Sequence, residues 1–68
     1  MGAYAWYYNA GGGKYYWSWS YDFSASQFAQ EVSSRIGRTV TASDISYASN
    51  QHDLDKMKER ASSVTQLS

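Results

Sequence analysis

Residues 4–21, Tyr4-Ala5-Trp6-Tyr7-Tyr8-Asn9-Ala10-Gly11-Gly12-Gly13-Lys14-Tyr15-Tyr16-Trp17-Ser18-Trp19-Ser20-Tyr21, decide how this chain folds. Two runs of Tyr and Trp flank a stretch holding three consecutive glycines. Aromatic residues favour strands, and glycines admit the positive φ values that a tight reversal needs. The segment reads as a β-hairpin over about residues 4–21. With Trp6 opposite Trp17, Tyr8 faces Tyr15 and Tyr4 faces Trp19. Period two then places Tyr4, Trp6, Tyr8, Tyr15, Trp17, Trp19 and Tyr21 on one face, and Ala5, Tyr7, Tyr16, Ser18 and Ser20 on the other. A one-residue slip would exchange the faces, so the pairing is expected to be well specified.

Outward from the hairpin, Ser24-Ala25-Ser26-Gln27 has the form of a capping box. Ala25, Phe28, Ala29, Val32 and Ile36 follow at the spacing of one buried helical stripe, and Gly37 is a stop signal. A helix is expected over about 25–36. Thr41-Ala42-Ser43-Asp44 reads as a second N-cap, and neither Gly nor Pro follows it. The expectation is one long helix over about 42–65. Tyr47, Leu54 and Ala61 repeat by seven, as do Asn50, Met57 and Val64, which is the spacing of a two-helix seam. The predicted fold is α+β with order ββαα, in a single domain spanning residues 1–68, and the seam predicts a homodimer.

Composition limits what such a domain does. Ten of the twelve aromatic residues lie between Tyr4 and Phe23, and the 68 residues include no cysteine and one histidine. A chain this short gains little from one core and usually needs a staple. Disulfides are excluded, and a zinc site is disfavoured. What remains is a ring-rich core or association with a second copy. Six basic side chains balance six acidic ones, so the broad positive field of a duplex-DNA binder is missing. Half of these charges fall between Asp53 and Arg60. No secretion signal and no bilayer-length apolar run are evident, so the expected location is cytoplasmic, within a host cell for a viral protein.

The candidate chemistry is sparse. Gly11-Gly12-Gly13-Lys14 lacks the earlier glycine and the following hydroxyl of a phosphate loop, because Tyr8 and Tyr15 occupy those positions. His52, Asp55 and Glu59 share a helical face, but among charged neighbours they read as a solvated surface. No nucleophile elbow is present. The chain is therefore expected to be non-catalytic and to need neither cofactor nor metal. Tyr7 and Tyr16, with Ser18 beside them and Lys14 as the one hairpin cation, form the candidate contact patch for another protein.

Gly37-Arg38-Thr39-Val40-Thr41-Ala42-Ser43-Asp44-Ile45 resembles the inter-helix turn of ribbon-helix-helix regulators. The resemblance covers residues 15–50. It implies a strand that pairs with a dimer mate and reads DNA through Tyr16, Ser18 and Ser20. Nucleic-acid or nucleotide binding is the alternative function on this reading. The leading expectation is a small protein-binding module. Compact, cysteine-free chains of this kind are frequent among viral and mobile-element inhibitors of host machines, such as anti-CRISPR proteins.

Overall fold

The computed structural model describes residues 4–68. Over these described residues the protein is α+β, with a four-stranded mixed sheet and two helices. Strands β1 (Ala5–Asn9) and β2 (Lys14–Trp19) form the hairpin, followed by helix α1 (Ala25–Ile36). A 3-10 turn at Ala42–Asp44 leads into β3 (Ser46–Ala48), then helix α2 (Gln51–Arg60) and β4 (Ser63–Gln66).

The hairpin forms where expected. Ala10 N–H donates to Lys14 C=O at 2.8 Å, and Asn9 Oδ1 accepts from Gly11 N–H at 2.9 Å. Gly11, Gly12 and Gly13 have φ of 98°, 63° and 79°. The register differs by one residue from the expected pairing. Tyr7 lies opposite Trp17, Tyr8 opposite Tyr16 and Trp6 opposite Ser18. An apolar-in, polar-out strand would resist such a slip. Here Trp6-Tyr7-Tyr8 and Tyr15-Tyr16-Trp17 put rings on both faces, so hydrophobic patterning does not choose between the pairings. Loop 10–14 fixes it.

The strand order is β3-β1-β2-β4. β1 is antiparallel to β2 and β3, and β4 is parallel to β2. Strands β2, β3 and β4 therefore run one way and β1 the other. Two crossovers follow, β2 to β3 through α1 and β3 to β4 through α2. They traverse the sheet in opposite directions, so a common hand of crossover requires the helices on opposite faces. The packing obeys this. Phe28, Ala29 and Val32 of α1 pack with Tyr16, Trp6 and Tyr8, whereas Leu54 and Met57 of α2 pack with Ala5, Tyr15, Trp17 and Ala48. The ring-rich core thus has two halves, separated by the sheet.

Helix α1 keeps its expected bounds. Ser24 Oγ accepts from Gln27 N–H at 3.1 Å, Gln27 Oε1 accepts from Ser24 N–H at 2.9 Å, and Gly37 ends the helix at φ 68°. The return from it is held by Ser33, whose Oγ accepts from Val40 N–H and donates to Ala29 C=O, both at 2.8 Å.

The long helix over 42–65 is replaced by a turn, a strand, a ten-residue helix and a second strand. Asp44 does bond back to Thr41 N–H at 3.0 Å, but the cap opens only a 3-10 turn, and Ile45 is extended at φ −84°, ψ 133°. Serines and asparagine compete for their own backbone, and Ile, Val and Thr favour strands. Ser46, Ser49, Asn50, Ser62 and Ser63 punctuate this segment, with Ile45, Val64 and Thr65 beside them. The heptad seam consequently does not exist as a surface. Tyr47 lies in β3, Asn50 caps α2, and Ala61 ends it. Leu54 and Met57 are fully buried, and Val64 lies in β4. The ribbon-helix-helix resemblance stops at Gly37 for the same reason. A strand follows where that family has its second helix, and β2 is flanked by β1 and β4, leaving no edge for a dimer mate.

Candidate interaction surface

The expected contact patch is divided by the register. Tyr7 is half-buried on the α2 face, its ring 6.2 Å from that of Tyr15. Tyr16 is buried on the opposite face against α1, and Ser18 on that same face is wholly inaccessible. Neither Tyr16 nor Ser18 can meet a partner. Lys14 remains exposed at the hairpin turn.

A different aromatic surface emerges where β2 runs past its neighbours. Tyr4 is 36% and Tyr21 80% exposed, with half-buried Trp19 between them. The Tyr4 ring meets Trp19 edge-on at 5.3 Å and 88°, and Trp19 meets Trp17 at 4.7 Å and 86°. Tyr21 lies parallel to Trp19 with centroids 6.1 Å apart. This forms a ledge of rings rooted in the core through Trp17. The backbone beneath it is fixed at several points. Tyr4 N–H donates to Ala48 C=O at 2.8 Å, Ser20 N–H to Tyr4 C=O at 3.2 Å and Asp22 N–H to Trp19 C=O at 3.2 Å. Trp19 N–H donates to Ser68 Oγ, also at 3.2 Å. The alternation Trp17-x-Trp19-x-Tyr21 is visible in the sequence. As part of a larger ring face it implies burial, whereas β2 ends at Trp19 and Tyr21 stands in the turn beyond it.

Helix α2 is charged asymmetrically. Its first half carries Asp53 and Asp55, and its second half Lys56, Lys58 and Arg60 besides Glu59. Lys58 Nζ lies 4.7 Å from the Trp17 ring centroid, a cation–π contact. Arg60 is held above its ordinary pKa, chiefly by the nearby Tyr15 hydroxyl, with desolvation opposing and Tyr7 adding a smaller push upward. Lys14 belongs to the same end of the molecule, because Gly13 C=O accepts from Ser62 and Ser63 N–H just beyond α2.

His52, Asp55 and Glu59 are exposed on α2. Among the described residues, no group of three or more His, Cys, Asp or Glu side chains is arranged to hold a metal ion. A shallow depression of about 360 Å³ at the end of α1 is lined by Gln30, Ser33, Ser34, Gly37, Arg38 and Thr39, a set without carboxylate or imidazole to move a proton. No helix among the described residues is long and apolar enough to cross a membrane. Comparison with family models, curated proteins and solved structures returns no match for this chain.

Proposed function

We propose that this chain is a small protein-binding module whose contact surface is the ledge of Tyr4, Trp19 and Tyr21. The observation that carries the reading is Tyr21, 80% exposed yet stacked in parallel on Trp19. A large ring held in a fixed orientation and left in water is costly to expose and loses little side-chain entropy on binding. These properties place Tyr and Trp at the centres of interfaces. Such a module acts by occupying a partner's surface rather than by chemistry, which suits an inhibitor of a larger machine.

The test is site-specific photo-crosslinking. A benzophenone side chain is placed at position 21, and in separate variants at Tyr47 and Glu31, which are exposed on the α1 side of the sheet. Adducts with another protein formed from position 21 but not from the other two are the expected result. Equal yields from all three, or none from 21, would remove the ledge as the contact surface.

The alternative, nucleic-acid binding, has one observation of its own. Lys58 and Arg60 lie at the end of α2 beside Trp17, Tyr15 and half-buried Tyr7, with Lys14 at the adjoining hairpin turn. Single strands are bound by such combinations of cations and rings. On this reading, affinity for a single-stranded oligonucleotide falls steeply with salt and is reduced by replacing Arg60, not Tyr21.

A further inference from the structure

Carboxylates stand on both flanks of the ledge. Asp22 follows Tyr21 in the turn closed on Trp19 C=O. On the other flank, the Tyr4 hydroxyl donates to Gln51 Oε1 at 2.8 Å, and Gln51 Nε2 donates to Asp55 Oδ1, also at 2.8 Å. Asp22 and Asp55 are both exposed. The basic residues of α2 lie toward the opposite end of the helix. The same row of rings already accepts a cation from within the chain, with Lys58 over Trp17. Four residues on, in the turn beyond β2, Tyr21 offers an open ring face.

An aromatic face attracts a cation through its quadrupole, and a neighbouring carboxylate adds an ion pair. The shape of the ledge selects among cations. Tyr4 and Trp19 touch edge to face at 5.3 Å, so no gap remains between them for an enclosed ammonium group. A planar guanidinium can stack on an open ring while turning its N–H groups to a carboxylate, which a compact ammonium does less well. Resting on the protein-binding reading above, we infer that the ledge receives an arginine-bearing segment of the partner. The guanidinium stacks on Tyr21 and donates to Asp22, and Asp55, beyond Tyr4 and Gln51, adds negative charge at longer range.

Two peptides of alternating glycine and arginine, or glycine and citrulline, test this by titration into ¹⁵N-labelled protein. Citrulline keeps the planar shape and removes the charge. The arginine peptide should shift the Trp19 indole N–H and the Tyr21 amide, and the citrulline peptide should bind about fivefold more weakly or worse. Tyr21→Ala should abolish the shifts while the rest of the spectrum stays folded, and Asp22→Asn with Asp55→Asn should weaken binding severalfold. Tyr47→Ala, on the other face, should change nothing. Equal binding of both peptides, lost together in Tyr21→Ala, would overturn the guanidinium chemistry and leave the ledge as a contact surface. Arginine-peptide binding that survives Tyr21→Ala, or no shift at millimolar peptide, would overturn the inference itself. The protein-binding reading is judged separately, by the crosslink from position 21.

Discussion

Asn50 occupies a heptad position where a buried polar residue would set the register of paired helices. In the fold its Oδ1 instead accepts from Asp53 N–H at 2.9 Å, and Asp53 Oδ2 accepts from Ser49 N–H at 3.2 Å. The consequence of Asn50→Leu changes sign with the role. As a seam residue it would strengthen a dimer; as a cap its loss destabilises the monomer by about 1 kcal/mol. Urea unfolding should show that loss, with no gain in mass by light scattering. Gly13 separates two costs in a similar way. Gly12 and Gly13 both have positive φ, but a Cβ on Gly13 alone would run into the Ser62 side chain. Gly12→Ala should cost about 1–2 kcal/mol from backbone conformation, and Gly13→Ala measurably more. Adding Ser62→Gly should return part of the excess. Signals confined to a few neighbouring residues, such as Ser24 with Gln27 or the glycine run, were legible in the sequence because their physics is local.

Longer elements were legible only where one local signal outweighed its competitors. The hairpin and α1 are of that kind. The stretch 41–66 is not. Its cap at Thr41, its apolar spacing and its lack of Gly or Pro agree with a helix, while its serines and β-branched residues oppose one. What decides is the sheet, which offers Leu54 and Met57 a surface and leaves β1 and β2 with open edges for β3 and β4. That surface is invisible until the hairpin register is known, and the register was ambiguous because both faces carry rings. The contact site was lost because helices cover both faces of the sheet, so α1 buries Tyr16 and Ser18, while Tyr21 stays open in the turn beyond β2. A core test follows at this scale. Leu54→Ala or Met57→Ala should each cost about 2–5 kcal/mol, a large share of the roughly 5–15 kcal/mol that holds a domain together. His52→Ala should stay within about 0.5 kcal/mol. Thermal melts distinguish these values from those of a seam, where loss of Leu54 would dissociate a dimer and leave the fold intact.

In the whole molecule, the central strands β1 and β2 carry a helix on each face, and the exposed features are pushed to the periphery. The ledge lies at one end and Lys14 and Arg60 toward the other, with Lys58 between them over Trp17. The heptad seam is not available to a helix-to-helix homodimer, because Leu54 and Met57 are in the core. Self-association keeps a route along β4. Ser63 and Leu67 direct their N–H groups to β2, at 3.2 and 2.8 Å from Gly13 and Trp17 C=O, so by alternation Val64 and Gln66 direct theirs outward. Two copies paired antiparallel about Thr65 would bring its Cα atoms to about 4.5 Å, within disulfide range. In a chain without cysteine, Thr65→Cys should then give an oxidised dimer as the only product. A monomer that resists oxidation would show that the β4 edge stays unpaired.

The packing of Trp17 against Trp19, nearly perpendicular at 4.7 Å, also has an optical consequence. Indole transitions that close and that steeply crossed couple, so the far-ultraviolet circular dichroism should carry an exciton couplet on top of the backbone signal. A spectrum read for helix and strand content alone would misjudge both. Trp17→Phe should remove the couplet and leave the backbone bands. In the parent chain, its disappearance on heating would report when the α2 layer leaves the sheet.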